Sequence, residues 1–83
     1  MVALLNNSDV AYEEDLEVAE ISNLYFDDED GMCFIFASEP DEMYCFPNAE
    51  ISKEETSKLC VNLFETGKID LTRYGKYQNI DEI

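Results

Sequence analysis

The first 52 residues of this 83-residue chain contain no lysine, arginine or histidine, yet they carry fourteen carboxylates between Asp9 and Glu50. All five basic residues follow, together with six further acids, so fourteen of the fifteen net negative charges lie in the N-terminal 52 residues. Like charges concentrated in this way repel one another and destabilise a compact fold, but they also create a negative field that attracts cationic surfaces. The asymmetry therefore indicates a binding partner rather than a reaction.

A folded chain is nevertheless predicted. High net charge is typical of disorder only when hydrophobicity is low, whereas 46% of these residues are apolar and 12% are aromatic. A chain of this length buries only about 60% of the surface that it exposes when unfolded, so its core is modest. We expect one domain spanning residues 1–83, with ends at 1–15 and 78–83 that fray.

Three strands are predicted, separated by turns at residues 27–31 and 38–42. The clearest has the sequence MCFIFA, which is apolar on both faces and rich in aromatic and β-branched residues. Gly31 is available for a positive φ in the first turn, and Pro47 ends the third strand. The predicted strands cover residues 16–26, 32–37 and 43–46.

The first of these strands contains an irregularity. Leu16 and Val18 alternate with Glu17 and Ala19, and the phase then slips near Ile21, as it does at a β-bulge. A helical interpretation of residues 8–20 remains open.

A helix is predicted over Lys53–Thr66. Ser52 and Glu55 have the spacing of a capping box, in which the serine side chain accepts from the Glu55 amide and the glutamate reaches back to the Ser52 amide. Gly67 lies where a C′ residue belongs. A single apolar stripe is predicted at Leu59, Cys60, Leu63 and Phe64. Residues 69–77 are expected to dock on the core, and the predicted fold is α+β, a small antiparallel three-stranded meander with one amphipathic helix packed on one face.

Three cysteines, Cys33, Cys45 and Cys60, are an odd number for a disulfide framework, and no secretory signal pattern begins the chain. We expect them to be unpaired core residues in a cytoplasmic protein. The longest apolar stretch, residues 32–37, is far shorter than the roughly 20 residues that cross a bilayer. Attraction to an anionic membrane surface is also disfavoured by the acidity.

No catalytic, metal or cofactor site is predicted. The chain has no histidine, which removes the usual general base and the commonest metal ligand. Aligning Gly31 with the sixth position of an EF-hand loop places Phe26 first and Ala37 twelfth, so both anchoring carboxylates are missing. No phosphate-binding glycine motif is present, and direct nucleic-acid binding is opposed by the charge, since it depends on Lys and Arg.

The acidic pattern itself has two interpretations. Carboxylates can form a solvated face that keeps a small domain soluble, but a net charge of magnitude about 2–8 suffices for that. The alternative is that carboxylates on strands and turns imitate phosphates, since duplex DNA presents one charge per about 1.7 Å of axis. The acids predicted to form that surface are Glu13, Glu14, Asp15, Glu17, Glu20, Asp27, Asp28, Glu29, Asp30, Glu39, Asp41 and Glu42.

In size, acidity and lack of enzyme motifs, the chain resembles the small nucleic-acid-mimicking inhibitors of phages and mobile elements, such as anti-CRISPR proteins, anti-restriction proteins and uracil-DNA glycosylase inhibitors. The resemblance covers composition and charge layout over residues 9–50 and no sequence motif, so no functional position is carried over. It implies a non-enzymatic inhibitor that occupies the cationic nucleic-acid channel of a basic nucleic-acid-binding protein or nuclease complex. If the chain is phage-encoded, the bacterial host cytoplasm is its expected location.

An immunity protein or antitoxin that neutralises a cationic nuclease or toxin is the alternative. Tyrosines beside acids suit the hot spots of such proteins, and Tyr12, Tyr25 and Tyr44 are candidates, although half-buried strand positions are the favoured explanation for Tyr25 and Tyr44. An acidic accessory subunit of a larger complex is a third possibility.

Overall fold

A computed structural model describes residues 1–8 and 15–82. The described residues form an α+β fold with six strands, one α-helix and two 3-10 helices, at Thr72–Tyr74 and Ile80–Glu82. The α+β class is therefore confirmed. In chain order the elements are β1 (Val2–Asn6), β2 (Leu16–Asp27), β3 (Gly31–Phe36), β4 (Tyr44–Cys45), α1 (Lys53–Thr66), β5 (Lys68–Asp70) and β6 (Gln78–Asn79).

The strands form one mixed sheet in the order β5-β1-β2-β3-β4-β6. The strands β2, β3 and β4 are antiparallel neighbours, but the prediction of a three-stranded sheet is wrong, because β1, β5 and β6 extend it on both sides. β1 pairs antiparallel with β2 and parallel with β5, and its Ala3 and Leu5 side chains are fully buried. Within the terminal segments expected to fray, Val2–Asn6 and Gln78–Asn79 are thus strands of the sheet.

β2 changes partner halfway along its length. Its first part pairs with β1, its second part pairs with β3, and the register shifts between Ile21 and Asn23. This confirms the predicted irregularity. Residues 16–20 belong to the strand, so the helical interpretation is wrong for the described part of residues 8–20.

In the part of β2 before the bulge, the large apolar side chains do not lie on the buried face of the sheet, as they do in an ordinary half-buried strand. Leu16 and Val18 are 51% and 71% exposed. Glu17 lies directly opposite the buried Leu5 in the register, and directly opposite residues share a face of the sheet. Leu16 and Val18 therefore face solvent, while Glu17 and Ala19 lie on the core side.

The helix begins and ends as predicted. The Ser52 side chain accepts from the Glu55 amide at 3.1 Å, and Gly67 has a left-handed φ of 74° with its amide bonded to the Leu63 carbonyl at 2.7 Å. The second half of the predicted capping box is replaced, because the Glu55 carboxylate accepts instead from Arg73 at 3.0 Å. The apolar stripe is also narrower than predicted, since Phe64 is 87% exposed.

The core lies between α1 and the sheet. The helix contacts β2, β3 and β5, with Leu63 buried against the cluster and Leu59 and Cys60 partly buried beside it. Thr56 is buried as well, and its hydroxyl donates to the Ser52 carbonyl at 2.9 Å. Phe34, fully buried on β3, lies within 6 Å of four other aromatic rings.

Candidate acidic interaction surface

The predicted acidic residues that the structure describes lie on three segments of the chain. Tyr12, Glu13 and Glu14 lie outside the described residues. The remaining acids lie at the start of β2, in the turn between β2 and β3, and between β3 and β4. They are Asp15, Glu17 and Glu20; Asp27, Asp28, Glu29 and Asp30, called here the first acidic turn; and Glu39, Asp41 and Glu42, called here the second acidic turn.

The first acidic turn is organised by its own leading carboxylate. Asp27 Oδ1 accepts from the backbone amides of Glu29 at 2.8 Å and Asp30 at 3.1 Å, and Gly31 then supplies a φ of 76°. A short acidic side chain that bonds the amides ahead of it stabilises such a turn locally. Asp27 is consequently a structural residue, whereas Asp28 and Glu29 are exposed.

The second acidic turn uses two of its three carboxylates in a similar way. Glu39 Oε2 accepts from the Tyr44 hydroxyl at 2.5 Å, and Glu42 Oε2 accepts from the Asn79 side-chain amide at 2.8 Å. The latter bond ties the turn to β6. Asp41 is exposed, so it is the member of this turn that faces solvent most freely.

The three acids at or just before the start of β2 differ in their exposure. Asp15 and Glu20 are exposed. Glu17 is half-buried, and its Oε1 accepts from the Tyr77 hydroxyl, 60 residues away along the chain. Glu17 therefore holds two distant segments together, which separates it from the solvent-facing acids.

Four aromatic rings pack mutually above the sheet. All six pairs among Phe34, Phe36, Tyr44 and Tyr77 have ring centroids between 5.0 and 5.7 Å apart, within the range of favourable aromatic contacts. The hydrogen bond to Glu39 raises the pKa of Tyr44, and its partial burial adds to this. Burial raises the pKa of Tyr77, and its bond to Glu17 adds to this. Tyr44 is thus a packed, neutral residue, half-buried rather than projecting from the surface.

Tyr25 is half-buried on β2 opposite Cys33 in the register. Burial raises its pKa, and the neighbouring Cys33 raises it further. Cys33 and Cys45 are buried free thiols, and burial raises the pKa of Cys33 to about 12. Cys60 is less buried, and its thiol donates to the Leu24 carbonyl at 3.2 Å. All three cysteines are therefore held in the protonated form at neutral pH.

The two acidic turns lie at opposite ends of β3. The first acidic turn precedes this strand and the second follows it, so the two are separated by about 17 Å along a six-residue strand at about 3.4 Å per residue. Glu20 belongs with the second turn, because its carbonyl accepts from the Ala37 amide at 3.0 Å. The predicted surface is thus two acidic ends rather than one continuous patch.

Ion pairing does not compensate the acidic segments within residues 1–8 and 15–82. Between residues that the structure describes, one salt bridge forms, from Arg73 to Glu55 at 3.0 Å, and neither partner belongs to the acidic segments. In residues 1–8 and 15–82, no group of three or more acidic or cysteine side chains is arranged to hold a metal ion. The described helix is not long and apolar enough to cross a membrane.

Two residues with roles at this surface are absent from the predicted set. Tyr77 fixes Glu17, and no local pattern could have shown this, because the contact joins opposite ends of the chain. Glu50 lines a groove together with Asp28, Glu29 and Asp30. The available sequence signal for Glu50 is its position between two apolar residues, Ala49 and Ile51, three residues after Pro47.

No protein-family model, curated protein or solved structure matches this chain.

Proposed function

We propose that this protein is a non-enzymatic acidic inhibitor that occupies the cationic nucleic-acid channel of a nucleic-acid-binding protein or nuclease complex, in place of DNA or RNA. The observation that carries the proposal is the lack of salt bridges at the described acids of the N-terminal 52 residues. Among the described residues, no carboxylate from Asp15 to Glu50 enters a salt bridge. Their charge is therefore available to a partner.

The amount of charge fits the imitation of a duplex. The molecule is 31 Å long on its longest axis and carries a net charge of −15. Duplex DNA of the same length carries about 18 charges, at one per roughly 1.7 Å. The 17 Å between the acidic turns corresponds to about five phosphate steps along one strand.

The mechanism requires positioning and electrostatics but no bond chemistry. Arginine and lysine side chains of the channel would meet carboxylates instead of phosphates, and the negative field would steer the two proteins together. The folded domain would then exclude nucleic acid from the channel. Since such partners act on cellular nucleic acid, the proposed location is the cytoplasm, in a bacterial host if the chain is phage-encoded.

Competition tests the proposal directly. Proteins captured from a bacterial lysate on the immobilised chain are eluted with duplex DNA or with single-stranded RNA and identified by mass spectrometry. With a purified partner, increasing amounts of this protein should displace labelled nucleic acid until none remains bound. A stable ternary complex of partner, nucleic acid and this chain would refute the proposal.

A matched pair of triple variants controls for net charge. Asp28, Glu29 and Asp41 are exposed acids of the two turns, whereas Glu54, Glu65 and Glu82 are exposed acids elsewhere. Reversing either set to lysine changes the net charge from −15 to −9. Displacement should fail with the first set and persist with the second, while equal losses would return the acids to a general role in solubility.

A further inference from the structure

A groove with a volume of about 640 Å³ runs between the first acidic turn and the segment that leads into α1. Its floor is apolar. Phe46 and Ile51 are buried there, at 2% and 8% exposure, and half-buried Phe26 and Ala49 complete the floor.

Carboxylates form the rim of this groove. Asp28, Glu29 and Asp30 line it from the turn, and Glu50 lines it from the segment before the helix. Among the described residues that line it, none is a lysine or an arginine. An apolar floor beneath an acidic rim is complementary to a side chain that has an apolar stem and a cationic head.

We propose that this groove receives an arginine side chain from the basic surface of the partner. The stem and guanidinium plane would pack on the half-buried Phe26 ring, while the guanidinium donors would reach the rim carboxylates. Arginine suits such a place because its planar group stacks on aromatic rings and bonds carboxylates in a bidentate manner, whereas the compact lysine ammonium is more strongly hydrated.

The molecule itself holds an arginine in this way. The guanidinium carbon of Arg73 lies 5.1 Å from the centre of the Tyr74 ring, and its Nη2 donates to Glu55 at 3.0 Å. The groove offers the same combination of aromatic ring and carboxylate without an arginine of its own. Its volume falls within the range of about 300–1,000 Å³ for sites that bind small ligands, which leaves room for the neighbouring backbone of the partner.

The test uses two blocked tripeptides, acetyl-Gly-Arg-Gly-amide and acetyl-Gly-Lys-Gly-amide, titrated into the isotopically labelled full chain and followed by NMR. The arginine peptide should produce saturable shifts centred on the amides of Gly31, Ala49 and Glu50, and should bind severalfold more tightly than the lysine peptide. Equal affinities, or shifts spread evenly over all acidic segments, would overturn the inference. Shifts confined to the second acidic turn would also overturn it.

Two variants of equal charge locate the effect. Glu50→Gln removes a rim carboxylate, and Glu65→Gln removes an exposed carboxylate at the end of α1. The first should weaken arginine-peptide binding severalfold, and the second should leave it unchanged. Ala49→Leu fills the floor without altering charge and should also weaken binding. Equal effects of the two glutamine variants would refute the site even if Ala49→Leu fails to fold.

The inference rests on the proposed function for the identity of the partner, but the peptide titration does not use that partner. If nucleic-acid displacement succeeds and the titration fails, only the groove is wrong. If the arginine peptide binds in the groove while no captured partner is displaced from nucleic acid, the proposed function is wrong and the groove is an arginine site with another role.

Discussion

Removing the hydroxyl of Tyr77 is the most direct perturbation of the arrangement that the structure reveals in β2. This hydroxyl donates to Glu17, and the bond exists only because Glu17 lies on the core side of the sheet while Val18 faces solvent. Tyr77→Phe keeps the ring and its contacts with Phe34, Phe36 and Tyr44. The variant therefore isolates the hydrogen bond.

The expected cost follows from the partners. A hydrogen bond to a charged group contributes about 1.5–3 kcal/mol, and half-buried Glu17 can regain water when the hydroxyl is removed, which favours the lower half of that range. We expect a loss of about 1.5–2 kcal/mol in the free energy of unfolding. In a domain of this size that lowers the melting temperature by about 6–16 °C.

Urea unfolding at pH 7, followed by circular dichroism, measures this loss. Tyr44→Phe is the matched control, because its partner Glu39 is exposed and water already competes for that bond, so its cost should be at most about 1 kcal/mol. A double-mutant cycle of Tyr77→Phe with Glu17→Gln should give a coupling energy within the range of about 0.5–3 kcal/mol seen for contacting residues.

The pH dependence has a definite sign. The pKa of Tyr77 is raised in the folded state, so the neutral phenol is favoured by folding. Its contribution is complete below about pH 10, the ordinary tyrosine value, and is lost as the pH rises above it. The difference between the wild-type protein and Tyr77→Phe should therefore narrow above pH 10. Two results together would refute the orientation of β2. The wild-type protein and Tyr77→Phe would have equal free energies of unfolding at pH 7, and Val18→Ser would lose more than about 2 kcal/mol. Glu17 would then face solvent and Val18 would face the core.

Three further predictions follow from single observations. Cys33→Ala should lower stability by about 1–3 kcal/mol in urea unfolding while leaving partner affinity intact, because the thiol is buried and protonated; lost affinity in a fully stable variant would make this cysteine functional. Gly67→Ala should cost about 1–2 kcal/mol through its left-handed φ alone, since nothing lies within 4 Å of the added Cβ, and an unchanged melting temperature would contradict this. Association with the partner, followed by stopped flow, should slow markedly between 0.01 M and 0.1 M salt, as the Debye length falls from about 30 Å to about 10 Å, and a constant rate would exclude electrostatic steering.

The helix could be predicted from the sequence because its signals are local. Ser52 and Gly67 act on groups within a few residues of themselves, so the bounds of α1 follow from short-range chemistry. The bulge in β2 was predictable for the same reason. The sequence could not show that Glu55 leaves the capping box, because its partners Arg73 and Tyr74 lie 18 and 19 residues away.

The rest of the sheet depends on contacts between distant residues. β1 and β5 pair in parallel across more than 60 residues, and β5 has three residues and β6 only two, too few for a periodic pattern. The inverted face of residues 16–20 has the same origin. An alternating segment has two possible faces, and the long-range partners Leu5 and Tyr77 select the one that places Glu17 inward.

Long-range structure also decides which of the predicted acids remain available to a partner. Asp27, Glu39 and Glu42 hold turns or strands in place, and Glu17 joins β2 to residue 77, so their substitution disturbs the fold as well as the field. The exposed acids of the two acidic turns lie at opposite ends of β3, which is about 17 Å long. Two unit charges at that distance repel by only about 0.2 kcal/mol in water, and at 0.15 M salt the Debye length of about 8 Å reduces this further. The same separation would matter more in the channel of the proposed partner, where fewer ions and a lower dielectric would leave each carboxylate less screened. The separation therefore keeps the repulsion between the two ends small in the isolated domain, while both ends would be available to the cationic surface of the proposed partner.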